Sequence, residues 1–223
     1  MGKFNPAADL DNYSSSGSFF SLKDDGDSRI VHFMYNGIAD LDGYAVHNVD
    51  VNGTKRLVNC IREYSDPLDK CPLCEARYKI IPKFFINLYD PETNEQFLWQ
   101  RGQNFYSQFA DLCAGCNPLV SYPVEIVRHG VKGDVETTYE FLVGDEDGLT
   151  LEDCPEPVDP LGTAIINATY DELLTYVQTG SLITGDNNPV NKQQSSDVVE
   201  SRRRRDVSGN GVRRASTNSD IPL

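Results

Sequence analysis

Residues 44–74 read Y-A-V-H-N-V-D-V-N-G-T-K-R-L-V-N-C-I-R-E-Y-S-D-P-L-D-K-C-P-L-C, from Tyr44 to Cys74. Two alternating apolar runs flank Asn52-Gly53. That dipeptide signals a two-residue hairpin turn of type I′, which needs φ > 0 at both central residues. With those residues at the turn, Val51 pairs with Thr54 and His47 with Val58. Cys60 lies two residues beyond Val58, so period-2 alternation puts it on the face that carries His47. Such diagonal neighbours sit roughly 7–8 Å apart at the backbone. A zinc ion that bonds sulfur at about 2.3 Å and nitrogen at about 2.0 Å can bridge them. Cys71 and Cys74, in the C-P-L-C knuckle, would complete a tetrahedron.

Spacing leaves a second set open. Cys113 and Cys116 form another C-x-x-C, and an all-cysteine site with Cys71 and Cys74 is an alternative. A redox role for the first C-x-x-C fits poorly, because such motifs open a helix after a strand in a βαβ unit, whereas this one follows an acidic loop.

The order His47, twelve residues, Cys60, ten residues, Cys71-Pro-Leu-Cys74 is followed by K-F-F-I-N-L-Y-D and F-L-W-Q-R-G-Q-N-F-Y. Together they resemble the zinc-bearing single-stranded DNA-binding proteins of T-even phages, the helix-destabilising family, over residues 18–144. The spacer between Cys60 and Cys71 is about one residue longer than in that family, a difference a loop absorbs. The resemblance implies a structural Zn2+ on His47, Cys60, Cys71 and Cys74. It also implies a mainly β fold with minor α, namely a five-stranded OB-fold barrel carrying a zinc subdomain. The implied function is sequence-independent coating of single-stranded DNA in phage replication, recombination and repair, inside the infected bacterial host.

The charge is −14, but it is unevenly placed. Residues 1–130 hold 12 Lys/Arg against 17 Asp/Glu, residues 131–200 hold 2 against 15, and residues 201–223 hold 6 against 2. Most of the negative charge thus lies outside the expected binding core, and acidic segments on such proteins recruit partners or compete with DNA. Six cysteines in a chain whose N-terminus is too polar for a signal peptide read as metal ligands and reduced thiols of an intracellular protein. Met1-Gly2 begins like a myristoylation site, but Pro6 stands where Ser or Thr is needed. No apolar run reaches the roughly 18 residues that a membrane helix requires.

Residues 1–17 read as a flexible arm, and strands are expected at 19–22 and 29–35 before the hairpin. After the knuckle a helical turn is expected at 76–80, with Pro82 delaying a strand to 83–89. Alternation there puts Phe84, Ile86 and Leu88 on a core face, and Lys83, Phe85, Asn87 and Tyr89 on a face suited to phosphates and stacked bases. In the next strand Phe97, Trp99 and Arg101 share a face. The candidate DNA contacts are Lys83, Phe85, Tyr89, Trp99, Arg101 and Tyr106, with Lys55, Arg56, Arg128 and Lys132 from turns and loops. A helix is expected at 103–113 and a last hairpin at 122–128 and 137–143.

Residues 145–183 form an acidic linker expected to wrap the core. Within it Thr169 and Glu172 make a capping box for a helix at 170–178 ended by Gly180. Residues 184–223 read as a disordered tail with a basic run, Arg202–Arg205. Its end, Asp220, Ile221, Pro222 and Leu223, resembles the tip by which bacterial single-strand binding proteins dock replication and repair partners.

An enzyme is not expected. The chain has no H-E-x-x-H, no phosphate loop and only three histidines. The alternative is a zinc-stabilised adaptor that acts through its acidic linker and tail.

Overall fold

The computed structural model describes residues 18–131 and 137–183. Eight strands among these residues join one sheet: β1 (Ser18–Phe19), β2 (Ser28–Phe33), β3 (Gly43–Val51), β4 (Thr54–Asn59), β5 (Ile80–Asp90), β6 (Glu95–Gly102), β7 (Val124–His129) and β8 (Thr138–Val143). The order is β1-β6-β5-β2-β7-β8, with β3 pairing β5 on one side and β4 on the other. All pairings are antiparallel except β1 with β6. The fold is mainly β, as expected. The sheet does not close, so a completed five-stranded barrel is not what these residues form.

Three α-helices among the described residues accompany the sheet: α1 (Pro72–Glu75), α2 (Phe105–Gly115) and α3 (Tyr170–Thr179). The helical turn expected at 76–80 is displaced into the knuckle itself, where Pro72 at the first helical position has φ preset for the turn. Strand β5 begins at Ile80, through Pro82 rather than after it. At Pro82 only β3 is a partner, since β6 pairs from Lys83 onward, and a missing N–H is tolerated on a one-sided strand. Helix α2 starts two residues later than expected, at Phe105. Helix α3 has the expected cap: the Glu172 amide donates to Thr169 Oγ1, and Gly180 closes the helix at φ 73°, a left-handed conformation that glycine adopts without strain.

Both faces of β5–β6 are covered, and this corrects the reading of their aromatics. On one face Ile86, Leu88, Phe97 and Trp99 pack with Phe105 and Phe109 of α2 and with Val124 and Ile126 of β7. On the other, Phe85 and Leu98 pack with Val46 and Ile165, joined by Val158, Leu161 and Ala164. The acidic linker therefore crosses the sheet. Asn87 grips it with both ends of its amide, Oδ1 accepting from the Val158 amide at 2.9 Å and Nδ2 donating to the Val158 carbonyl at 3.2 Å. Gln96 Nε2 donates to the Glu156 carbonyl at 2.9 Å. Further along, the Ile166 amide donates to the Leu57 carbonyl, and the Asn59 amide to the Ile166 carbonyl.

Near the β5–β6 turn, Arg29 of β2 reaches Asp90 and Glu95, each at 2.7 Å, and lies 4.2 Å over the Phe97 ring. No described helix is long and apolar enough to cross a membrane.

Candidate metal centre

The hairpin has the register that the turn dictates. Asn52 and Gly53 both have positive φ, 53° and 79°, and β3 pairs with β4 as Val51 with Thr54 and His47 with Val58. His47 is thereby fixed on a central strand, flanked by Val58 on one side and Ile80 on the other. Cys60 follows the last residue of β4. Cys71 caps α1 and Cys74 lies within it.

The four ligand atoms all lie within 4.8 Å of one another. Cys71 Sγ and Cys74 Sγ stand 3.7 and 3.6 Å from His47 Nε2, and Cys60 Sγ is 3.5 Å from Cys74 Sγ. A tetrahedral zinc site has edges of about 3.8 Å between sulfurs and about 3.6 Å between sulfur and nitrogen, worked from its bond lengths. His47, Cys71 and Cys74 are buried and Cys60 is half-buried. His47 Nδ1 lies 3.1 Å from the Lys79 carbonyl. A carbonyl only accepts, so Nδ1 carries the proton and the Nε2 lone pair faces the thiols, the orientation that outer partners impose on metal-ligating histidines.

The thiols respond to each other. Burial pushes Cys71 up, but its hydrogen bond with His47 and the backbone amides of Cys74, Ile61 and Leu73 outweigh that and bring it to about 6. Burial, the hydrogen bond with Cys60 and the charge at Cys71 push Cys74 up to about 12. Burial also raises Cys60. Three thiols this close cannot all ionise without a cation between them. The cluster can hold a metal ion, and four protein donors leave no open position on it for chemistry.

The all-cysteine alternative is not assembled. Cys116 and Cys113 belong to the main core with α2, while Cys71 and Cys74 lie in a separate cluster with Val49, Val58, Leu73 and Leu173. Burial raises both thiols, Cys113 to about 11.

The expected nucleic-acid contacts divide. Phe85, Tyr89 and Trp99 are buried at 3%, 8% and 4% exposure, so they offer no ring face to a base. Linker residues Val158, Leu161, Ala164 and Ile165 pack with Phe85, and Phe20, Phe105, Tyr139 and Phe141 surround the Trp99 ring. Arg128 is also engaged internally: its guanidinium donates to the carbonyls of Leu22, Gly130 and Val131 and to Thr137 Oγ1. Lys55 and Arg56 stand beside the hairpin turn, opposite Asp50 and Val49. Lys132 and the tip residues Asp220, Ile221, Pro222 and Leu223 lie outside the described residues, as does Arg202–Arg205.

Lys83, Arg101 and Tyr106 lie at the end of the sheet where β5 starts and β6 ends, Lys83 on the face opposite the other two. Arg101 pairs with Phe84 across the strands, and Phe84 stacks on Tyr106 at 6.1 Å and 28°. Tyr106 is 51% exposed. Alternation puts Phe84 on the core face, yet it is only half-buried. Opposite it stands Gly43, where a Cβ would come within 3.4 Å of the ring. A glycine facing an aromatic across a strand pair is the signal that alternation alone misses.

Arg101 lies 4.6 Å over the Trp99 ring and 4.4 Å over that of Tyr139, and its Nε is buried with no hydrogen-bond partner. Burial holds Arg101 below its usual range, and burial together with the charge of Arg101 does the same to Lys83. Among the described residues, no carboxylate lies within 4.0 Å of either cation.

Compared with protein-family models and with curated proteins, the chain matches none.

Proposed function

We propose that this chain binds single-stranded DNA without sequence preference, on a sheet that is an opened variant of the OB barrel, with a structural zinc in the His47, Cys60, Cys71, Cys74 site. The observation that carries the reading is the Lys83–Arg101 pair. These are two partly desolvated cations on adjacent strands, one on each face of the same end of the sheet and neither within 4.0 Å of a carboxylate among the described residues, in a chain with 34 acidic residues. Desolvating a charge without a counter-charge is costly. Phosphates of a strand passing this end of the sheet would supply that counter-charge to each. Beside them the outer face of Tyr106 is open for a base, and such stacking is worth about 1–3 kcal/mol per base and is blind to sequence. The resemblance of the ligand pattern to the phage family agrees with this. On the same reading, the tail tip recruits replication and recombination proteins.

The test is anisotropy of labelled oligo-dT with metal-loaded protein over a salt series, with a duplex of equal length alongside. Trp99 fluorescence is followed in parallel, because a phosphate drawn to Arg101 alters the charge 4.6 Å from that ring. Single-strand binding that weakens with salt, and far weaker duplex binding, is expected. No binding by metal-loaded protein at low salt would overturn the reading in favour of the adaptor.

A further inference from the structure

The loop between Cys60 and Cys71 is rich in acid: Glu63, Asp66 and Asp69 stand within it. Of its two cations, Arg62 and Lys70, Arg62 pairs with none of them, since no carboxylate lies within 4.0 Å of it among the described residues. The Asp66 carboxylate instead accepts from the Glu63 amide at 3.0 Å. One arm of the guanidinium, Nη1, donates to the carbonyls of Asp66 at 2.6 Å and Tyr64 at 3.4 Å. The residue stands beside the cluster, its own carbonyl 3.9 Å from Cys60 Sγ. Its Nε is buried and has no hydrogen-bond partner.

A buried N–H without an acceptor forfeits its hydrogen bond to water, so native proteins rarely leave one. Three thiolates and a neutral histidine around a divalent cation sum to a net charge of −1, held in a buried setting where an uncompensated charge is unfavourable. We infer that Arg62 is a positioning residue for the metal centre, supplying the single positive charge and the N–H donor that balance the metal–trithiolate cluster. The inference rests on the metal reading. It explains why the arginine ignores three nearby carboxylates, since pairing with any of them would remove its charge from the cysteines. It also assigns the loop a purpose. Its carbonyls at Tyr64 and Asp66 hold the guanidinium by one arm and leave the buried Nε free for the cluster.

A purely mechanical role would be to brace the loop, and the two roles separate by substitution. Arg62→Lys keeps the charge and loses the fork. Arg62→Gln keeps donor capacity and loses the charge. The full-length chain is loaded with Zn2+, or with Co2+ for its thiolate-to-metal absorption, and titrated with a competing chelator. The rate at which iodoacetamide alkylates the metal-bound cysteines is measured in parallel. Arg62→Gln is expected to loosen the metal about 10–100-fold, as loss of an outer partner does. It should also speed alkylation, because the sulfurs then carry an unbalanced negative charge. Arg62→Lys should stay close to the wild type in both.

Equal losses in the two variants would make Arg62 a brace and overturn the inference, as would no loss in either. Should Arg62→Gln not fold, Arg62→Lys decides alone: wild-type affinity upholds the charge role and a tenfold loss ends it. Failure of the wild-type chain to take up metal would be a different result, sinking the metal reading itself.

Discussion

Replacing Leu173 by alanine tests whether the acidic linker belongs to the fold. Leu173 has no exposed surface and sits in one cluster with Val49, Val58, Leu73 and the ligands Cys71 and Cys74. Removing a leucine side chain from such a site costs the lost transfer energy plus that of the residual cavity, about 3 kcal/mol or more. In a unit of this size each kcal/mol lowers the melting temperature by about 2–4 °C, so a loss of about 6–12 °C is expected. Differential scanning calorimetry of the metal-saturated protein measures it. Val177→Ala on the same helix, where the side chain is 36% exposed, serves as the control and should shift stability by no more than about 0.5 kcal/mol. The alanine at 173 should also loosen the metal, since α3 backs the cysteines. A melting loss no larger than that of the control would refute the packing of α3 on the metal centre.

Neutralising Lys83 or Arg101 should flatten the salt dependence of single-strand affinity by about 0.7 in log–log slope for each phosphate that is no longer neutralised; an unchanged slope acquits that residue. Chelation should lower the melting temperature of the wild type and leave Cys74→Ser unaffected, since the metal contributes about 2.7 kcal/mol when its free concentration is a hundred times Kd. Acid should act through Asp90. Burial raises its carboxyl, but hydrogen bonds from Arg29 and Thr93 outweigh that and hold it below the usual range. Its folded pKa is thus depressed, so its stabilisation is complete above about pH 4 and is lost as pH falls below that. Asp90→Asn should therefore melt with a weaker pH dependence between about pH 5 and pH 2.5; an equal dependence would show that other carboxylates set it.

What was legible in the sequence was local. Asn52-Gly53 dictates a turn that only one register satisfies, and that register carries His47 to the cysteines. The capping box at Thr169 and Glu172 marks a helix start through bonds made within one turn. What was not legible depended on distant partners. Alternation separates the two faces of Lys83–Tyr89, but whether a face meets solvent is settled by residues 158–165, about seventy positions later. The strand carried a hint, because its second face, Lys83, Phe85, Asn87 and Tyr89, holds two large aromatics beside its two polar residues. Ala164-Ile165-Ile166 inside an acidic stretch was the matching hint. Trp99 and Arg101 share a face as expected. There the cation caps the ring from the protein's edge, and the ring itself belongs to the core.

Synthesis of the chain from its N-terminus gives the buried histidine–cysteine cluster a history. All four donors have been made by residue 74, whereas the side chains that cover them from behind, Ala168, Leu173 and Tyr176, come about a hundred residues later. At the elongation rates of about 5–20 residues per second, the interval lasts about five to twenty seconds. During that time the thiols are open both to metal and to oxidants. Early metal capture turns them into a finished surface on which the last helix can dock. Once that helix is docked, only the half-buried Cys60 remains partly exposed. The order of the segments along the chain thus leaves the four donors uncovered until the last helix is made.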